Sequence, residues 1–206
     1  MVSESLVATE IAPISSLIRK KMKAENRQFE SASNVRTITK VYCTSFDSRI
    51  GKIYVASTEQ GVCKISLPKE NRKDFINWIG EHINLDAVVD NRSRNKEVID
   101  QLNRYFNGKL AKFNLEFDML GTPFQVRVWK ELVKVEYGTT ITYKQLARRV
   151  KTPQAFQAVG RANATNPLPI VIPCHRVLGS NNSLVGYSAG IKTKEFLLRL
   201  EGAIML

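Results

Sequence analysis

The chain has 206 residues and a formal net charge of +12, with 31 Lys and Arg against 19 Asp and Glu. This length suffices for one large domain or two small ones, and the sequence shows neither an apolar run near the roughly 20 residues of a membrane span nor the apolar core of a secretory signal. The three cysteines have no paired spacing, which argues against a disulfide framework or a zinc site and for a reducing, intracellular compartment.

The N-terminal half predicts a small sheet with helices packed on it. Residues 1–39 are mixed in character and rich in Ser, and we predict a mobile extension there. The short strands VYCTSF, KIYVAS and VCKISL follow, separated by turns that contain Gly51 and Gly61, as in a β-meander. The segments DFINWIGEHI and NKEVIDQLNRYFNG then predict two amphipathic helices, whose apolar faces are Phe75, Trp78, Ile79 and Ile83 in the first and Val98, Leu102 and Tyr105 in the second.

The second half opens at Gly121 with a series of helices that carry their own start signals. TPFQVRVWKEL and TYKQLARRV each begin with a Thr that is followed three residues later by Gln, the pattern of a capping box. TPQAFQAVGRANA places Thr152 as cap and Pro153 at the first helical position. The last two of these helices form a helix-turn-helix candidate with the later one as recognition helix, although helix pairs that never touch DNA look similar.

The last predicted helix, KTKEFLLRLEG, has an apolar face of Phe196, Leu197 and Leu200 and ends at Gly202. Glu201 then lies in the final turn, where the helix dipole disfavours a carboxylate. Such a residue is either exposed and without consequence, or buried against a cationic or hydrogen-bonding partner.

Positive charge is concentrated in the C-terminal half. Residues 121–206 contain 12 basic and 4 acidic side chains, and the 58 residues from Tyr137 to Lys194 contain eight cations and no Asp or Glu. This stretch indicates either a surface that binds a polyanion such as nucleic acid or a merely solvated basic surface, and we favour nucleic acid.

The segment IVIPCHRVLG places Cys174 beside His175 in surroundings apolar enough to be buried. A buried free cysteine is usually only a small hydrophobic residue. Here, however, His175, Arg176 and Lys194 are candidate neighbours for a thiolate, and Glu201 could orient the histidine. Adjacent residues on a regular strand point to opposite faces, so we expect a turn at Pro173 or a bridging water between thiol and imidazole. Upstream, the amides of Asn163 and Asn166 lie among apolar residues and need hydrogen-bond partners.

The combination of PCHRV with an upstream NP, a further upstream GTPFQ…VW and the downstream GYSAGIKTKEFLLRLEG resembles the O6-alkylguanine-DNA alkyltransferases. The resemblance extends from about Val41 to Gly202 and is most specific from Gly121 onward. It implies an α+β fold: a mobile extension (1–39), an N-terminal α/β, ribonuclease-H-like domain with a short antiparallel β-meander and packed helices (40–118), and a mainly helical C-terminal domain with a helix-turn-helix and the active-site segment (119–206).

The resemblance also implies roles for individual residues. Cys174 would accept the alkyl group, His175 would take the thiol proton through a water, Glu201 would orient His175, and Asn166 would brace the segment. The flipped base would be met by Tyr143, Val177, Tyr187, Ser188 and Lys194. DNA would be contacted by Ala155, Gln157 and Arg161 of the recognition helix and by Arg148, Arg149, Lys151 and Arg176.

The chain departs from the family pattern at three places. Gln157 replaces the usual Arg that enters the duplex where the flipped base was, and Ala189 replaces a Gly at the pocket mouth. Asn182 lies where a loop glycine is usual, and Asn tolerates the left-handed conformation. The zinc ligands that some members carry in their first domain are not recognisable.

The predicted activity is therefore single-use repair of O6-alkylguanine in double-stranded DNA, with O4-alkylthymine open as a second substrate. We expect no metal, nucleotide or organic cofactor, a monomer, no membrane association, and a location in the cytoplasm of a prokaryote or the nucleus of a eukaryote. Two alternatives are a relative that binds alkylated guanine but transfers slowly or not at all, and a Cys-His hydrolase. The hydrolase explains neither the charge distribution nor the flanking motifs.

Overall fold

A computed structural model describes residues 40–83 and 88–205. The predicted extension, residues 1–39, lies outside the described residues. In chain order the helices and strands are β1 Val41–Ser48, β2 Gly51–Thr58, β3 Gly61–Ile65, α1 Arg72–His82, β4 Val88–Asp90, α2 Lys96–Phe106, α3 Pro123–Val133, β5 Ile141–Thr142, α4 Tyr143–Arg149, α5 Phe156–Ala164, β6 Val177–Leu178 and α6 Ile191–Leu200. No helix within the described residues is long and apolar enough to cross a membrane.

The N-terminal half contains a four-stranded sheet in the order β3-β2-β1-β4. The antiparallel meander predicted from the sequence is confirmed, with Tyr42 opposite Ser57 and Val55 opposite Ile65. The fourth strand, β4, was not predicted. It is three residues long and pairs parallel with the start of β1, so its pattern is too short to show the alternation of a strand.

Helices α1 and α2 form as their apolar periodicity predicts. Asn71 caps α1, because its side-chain oxygen accepts hydrogen bonds from the backbone N–H groups of Lys73 and Asp74. Phe75 and Ile79 pack with the sheet in one apolar cluster, whereas Trp78 is only partly buried at its edge. Helix α2 buries Tyr105 in a larger cluster that includes residues of the C-terminal half.

The C-terminal half begins with the two predicted capping boxes, and both are confirmed. The hydroxyls of Thr122 and Thr142 accept from the backbone N–H groups of Gln125 and Gln145, and the two glutamine side chains accept in return. In α6, Leu197 is buried and Phe196 and Leu200 are partly buried against the core, as predicted, and Leu198 is buried in addition.

The predicted start of the recognition helix was wrong. Helix α5 begins at Phe156, three residues after Pro153, and Ala155 is its N-cap. Lys151 adopts a positive φ of 60°, and the N–H of Ala155 bonds to the carbonyl of Thr152, so these residues form a turn instead of a first helical turn. The Thr152 hydroxyl, predicted to cap the helix, has no hydrogen-bond partner within residues 40–83 and 88–205.

The two halves share one core and one backbone connection near the site. Buried side chains of the sheet, of α2 and of helices α3 to α6 belong to a single apolar cluster. The N–H of Ile65 in β3 bonds to the carbonyl of Pro167, at 2.8 Å. Strands β5 and β6 pair in parallel and bring the start of α4 beside the segment that follows Cys174.

Candidate active site

Cys174 begins a single 3₁₀ turn, Cys174–Arg176, directly after Pro173. The predicted turn is therefore present. In such a turn the side chains of consecutive residues do not point to opposite faces as they do in a strand. Cys174 is 3% exposed. Burial raises the pKa of its thiol to about 11, although an Asn166 hydrogen bond and the charge of Lys194 act in the opposite direction. The resting side chain is therefore a thiol and not a thiolate.

His175 is fully buried and bonded on one side only. Its Nε2 lies 2.8 Å from Oε1 of Glu201, whereas Nδ1 is buried without a partner among the described residues. Because the carboxylate only accepts, Nε2 carries the proton and Nδ1 holds a free lone pair. Burial lowers the pKa of His175 below its ordinary value, and the nearby Glu201 only partly opposes this. The imidazole is thus a neutral base with one free acceptor.

Glu201 is buried, and its carboxylate is held by several donors. Arg176 donates from Nε to Oε2 at 2.8 Å and from Nη2 to Oε1 at 2.9 Å, a bidentate pair. Tyr105 donates to Oε1 at 2.6 Å. Burial raises the pKa of Glu201, but the hydrogen bonds of His175 and Arg176 outweigh burial and lower it to about 2. The misplaced carboxylate of the final turn is therefore a buried, permanently ionised group.

This arrangement corrects the prediction for Arg176. It was expected to contact DNA, but it is 5% exposed and its guanidinium is committed to Glu201 and to the carbonyl of Val135. A buried cation needs a counter-ion, and the carboxylate 25 residues later provides it. The sequence signal was available, since Arg176 lies in an apolar run, but its partner could not be read from spacing.

Lys194 is completely buried in the first half of α6. Its ammonium donates to the carbonyls of Val177 at 2.6 Å and Val185 at 2.8 Å, and thereby ties the segment after the cysteine to the following loop. Burial lowers the pKa of Lys194 to about 8, with Cys174 acting in the opposite direction. At neutral pH it remains largely a cation close to the sulfur.

The two asparagines find the partners that their burial demands. Asn166 donates to the carbonyl of Ile172 at 2.8 Å and accepts from the N–H of Leu168 at 3.0 Å, so it braces the turn that leads to the cysteine. Asn163 donates weakly to the carbonyl of Cys174, at 3.4 Å, and its Oδ1 is buried without a partner.

Two tyrosines border the cysteine. Tyr143 is partly buried at the start of α4, and burial together with the Cys174 sulfur raises the pKa of its hydroxyl. A Cβ at Gly160 would lie 3.9 Å from the Tyr143 ring, so α5 passes close beneath it. Tyr187 stands edge-on to His175 with ring centroids 6.5 Å apart, and its hydroxyl is buried without a partner in the part of the chain that the structure describes. Ser188 is exposed beside it, and Val177 is buried.

Six of the eight cations in the basic stretch lie on the surface. We call these six the basic face: Lys144, Arg148, Arg149, Lys151, Arg161 and Lys192. They lie on α4, on α5, on the turn between them and at the start of α6, and Gln157 is exposed near the start of α5, with Ala155 partly exposed just before it. The neighbouring Phe156 is 44% exposed, a feature that the sequence analysis missed.

No group of three or more His, Cys, Asp or Glu side chains in residues 40–83 and 88–205 is placed to hold a metal ion. Cys43 and Cys63 are buried in the sheet cluster, and neither is adjacent to a histidine in the sequence. Cys174 is thus the cysteine that lies next to a base.

Comparison with known proteins identifies the family. Residues 41–119 match the ribonuclease-like domain of 6-O-methylguanine DNA methyltransferase, and residues 123–203 match its DNA-binding domain. The methylated-DNA–protein-cysteine methyltransferase of Methanosarcina acetivorans is 39% identical over 163 residues, which are 79% of this chain and 99% of that relative. The chain belongs to the methylated-DNA–protein-cysteine methyltransferase family. The resemblance seen in the sequence is thereby confirmed.

Other members of the family agree in sequence and structure. The constitutive enzyme of Bacillus subtilis is 37% identical over 167 residues, covering 78% of this chain and 94% of its own. The crystal structure of the Mycobacterium tuberculosis O6-methylguanine methyltransferase superposes with a TM-score of 0.66 at 35% identity, over 79% of this chain and 93% of that one. The Mycobacterium tuberculosis OGT bound to DNA gives a TM-score of 0.65 at 34% identity, over 78% and 92%. The predicted α+β fold is confirmed.

The departures from the family pattern can now be located. Asn182 adopts a φ of 56°, so the expectation that asparagine supplies the left-handed conformation of a glycine is confirmed. Ala189 is 6% exposed and lies directly before α6, where its carbonyl accepts from the Thr193 hydroxyl. Gln157 is exposed on α5, the helix that was predicted to contact DNA.

Proposed function

We propose that this protein repairs DNA by direct reversal, transferring the alkyl group of O6-alkylguanine to the sulfur of Cys174, once per molecule. The observation that carries the proposal is the buried Cys174–His175–Glu201 set, in which Nε2 of the histidine is bonded to the carboxylate and Nδ1 is free. A nucleophile, a base and a group that orients the base are together in one enclosed site. Membership of the methyltransferase family supports the same reaction.

In the proposed reaction, His175 removes the thiol proton through one water, as the sulfur attacks the alkyl carbon. A carbon–sulfur bond forms, the bond between that carbon and O6 of guanine breaks, and the proton passes to the departing guanine. Glu201 stabilises the imidazolium that exists during transfer, and Lys194 stabilises the developing thiolate. The product is a thioether that no group in the site can cleave, so each molecule reacts once.

The pocket residues follow from the same proposal. O6 of guanine is stacked within a duplex, so the nucleotide must be rotated out to reach a buried sulfur. Tyr143 assists that rotation, Tyr187 forms a wall of the pocket, and the backbone at Ser188 meets O6. The carbonyls of Cys174 and Val177 receive the exocyclic amine. Asn166 holds the turn in place by its two backbone hydrogen bonds.

The DNA-binding surface is the basic face together with the start of α5. Five of its members, Arg148, Arg149, Lys151, Arg161 and Lys144, surround a helix pair whose second helix carries Gln157 and Ala155. We assign phosphate contacts to the cations and insertion beside the flipped base to Gln157. The partner is double-stranded DNA, the acting unit is a monomer, and the compartment is the one that holds the DNA. The functional units are residues 40–118 and 119–206.

The alternative of a relative that binds alkylated guanine without reacting is not favoured. Such a protein has no use for a buried thiol that is followed directly by a histidine whose Nδ1 has no partner among the described residues, and both are present here.

The test is the intact mass of the protein after incubation with duplex DNA that contains one O6-methylguanine. We expect a gain of one methyl group, located at Cys174, and an equimolar amount of restored guanine in the DNA. A Cys63→Ser variant serves as the matched control for cysteine loss and should gain the methyl as the parent does. Binding without any gain of mass would contradict the proposal.

A further inference from the structure

A side chain of the N-terminal half reaches directly into the reacting network. Tyr105, on α2, is fully buried, and its hydroxyl donates to Oε1 of Glu201 at 2.6 Å. The same oxygen accepts from Nε2 of His175 at 2.8 Å and from Nη2 of Arg176 at 2.9 Å. Oε1 of Glu201 therefore accepts three hydrogen bonds. Two come from His175 and Arg176, in the turn that begins at Cys174, and the third comes from Tyr105 on α2.

The Tyr105 hydroxyl is not needed to hold Glu201 in position. Arg176 already binds both oxygens of the carboxylate, and the N–H of Gly138 points to Oε2. Nor does packing require a hydroxyl, since the Tyr105 ring lies in an aromatic cluster with Phe106 and Phe113 that a phenylalanine would also fill. Burying a hydroxyl costs free energy unless it is bonded. Neither the position of Glu201 nor the packing of the ring therefore explains why the Tyr105 hydroxyl bonds to Glu201.

The consequence is electrostatic. Donors that share one oxygen compete for its charge, so each additional donor weakens the bond that the oxygen makes with the others. The positive end of the Tyr105 O–H dipole also lies on the same side of Glu201 as the imidazole. Both effects reduce the attraction of Glu201 for a protonated His175. We propose that Tyr105 is a positioning residue that acts through Glu201 to restrain the basicity of His175.

The other groups around His175 act on it in a different way, through burial or through a full charge. The charged side chains that act on it are Glu201, Arg176 and Lys194, and the Tyr187 ring stands edge-on to it. Burial lowers the pKa of His175, the two cations act in the same direction, and Glu201 alone opposes them. Tyr105 moderates Glu201 at the oxygen that binds the imidazole, without itself carrying a charge. The inference concerns the base of the proposed reaction and in that sense rests on the proposed function.

The test uses nuclear magnetic resonance of the histidine side chains in the full-length protein without DNA. The chain has only two histidines, so His175 is assigned against His82, which is exposed on α1 and has no bond to Glu201 in the described residues. In Tyr105→Phe, the Nε2–H proton of His175 should move downfield at neutral pH, because its bond to Glu201 strengthens. The pKa of His175 should rise by about half a unit to one unit, a three- to ten-fold change in proton affinity.

Two further proteins make the test decisive. Tyr137→Phe is the matched control, because the Tyr137 hydroxyl is nearby but bonds to the carbonyl of Leu200 and not to Glu201. It should leave the His175 resonance in place. Difluorotyrosine incorporated at position 105 keeps every native contact and is a stronger donor, so it should shift the same proton upfield. This second probe answers the question even if Tyr105→Phe does not fold.

The pH dependence of the methyl-transfer rate shows how the change in the pKa of His175 affects the reaction. His175 must be neutral to accept a proton. In Tyr105→Phe, the acid side of the pH–rate profile should therefore shift to higher pH by the same amount as the pKa of His175 rises. An unchanged Nε2–H resonance in both Tyr105 proteins, or shifts in the same direction, would overturn the inference. Absence of methyl transfer in the wild-type protein would instead refute the proposed function, while the resonance shifts would still be measured.

Discussion

Replacing Glu201 with Gln should remove a charge on which the folded state depends. The carboxylate is buried and bonded to Arg176 and His175, and its pKa is lowered from 4.5 to about 2. At about 1.36 kcal/mol for each pKa unit, its ionised form contributes about 3 kcal/mol to folding at neutral pH. Removing one partner of a buried pair typically costs about 3–5 kcal/mol, because the other charge stays buried without a counter-ion. We therefore expect Glu201→Gln to lose about 3–5 kcal/mol at pH 7.

The pH dependence of the unfolding free energy tests this reasoning more sharply than the loss of stability at pH 7 does. The folded-state pKa is depressed, so the stabilisation is fully present above the unfolded pKa of 4.5 and is lost as pH falls toward 2. Linkage places about 2 kcal/mol of this loss above pH 3. The difference in unfolding free energy between wild type and Glu201→Gln should therefore narrow by about 2 kcal/mol between pH 7 and pH 3.

The assay is urea unfolding at several pH values, followed by the fluorescence of the two tryptophans, of which Trp129 is buried in the shared core. Glu195→Gln is the matched control, because Glu195 pairs with Arg199 on the surface of α6 at i,i+4. That variant should lose no more than about 0.5 kcal/mol. Parallel pH profiles for wild type and Glu201→Gln would refute the reasoning, since the carboxylate would then not be the group that titrates.

Four further outcomes are expected. Cys174→Ser should abolish transfer, while Ser at either sheet cysteine changes it little, as measured by methyl label on the intact protein. If about five cations of the basic face contact phosphates, log K for duplex DNA should fall with log salt with a slope of roughly −4 to −5, and a slope near zero would assign them to a solvated surface. Ala189→Gly should react with O6-benzylguanine much faster, relative to methylated DNA, than the wild type does, because Ala189 narrows the pocket mouth and excludes the larger group. Equal benzyl reactivity in the two proteins would show that Ala189 does not restrict the pocket. Gln157→Arg should speed transfer from duplex DNA several-fold, by something like 1 kcal/mol, without affecting free O6-methylguanine, and Gln157→Ala should slow the duplex reaction. A harmless Gln157→Ala would point to the exposed Phe156 as the side chain that fills the stack.

The parts of this molecule that could be predicted from the sequence are those decided within a few residues. The capping boxes at Thr122 and Thr142 depend on two side chains three positions apart, and both formed as expected. The pairing of Cys174 with a histidine, and the unusual place of Glu201 in a last turn, are likewise local. Each of these features can be read without knowing where the rest of the chain goes.

The parts that could not be predicted depend on distant partners. Thr152 and Pro153 satisfy the local signature of a helix start, yet a left-handed Lys151 turns the chain and the helix begins later. The strand β4 exists because the start of β1 has a free edge there. Arg176 appeared to belong to the DNA-binding cations because its counter-ion, Glu201, is brought to it only by the docking of α6.

The burial of Cys174 explains how the protein can keep a nucleophilic thiol that is unreactive until the substrate binds. A protein that is consumed by one reaction loses its function if its thiol reacts with anything else, and a thiolate is the species that reacts. With a pKa of about 11, roughly one Cys174 in ten thousand is ionised at pH 7. Lys194 and Asn166 favour the anion but do not overcome burial, so resting reactivity stays low. In the reaction that we propose, reactivity arises when the alkylated guanine occupies the pocket and the thiol proton passes to His175. That step requires an imidazole that is neutral beforehand. A carboxylate with several competing donors supplies a histidine of that kind.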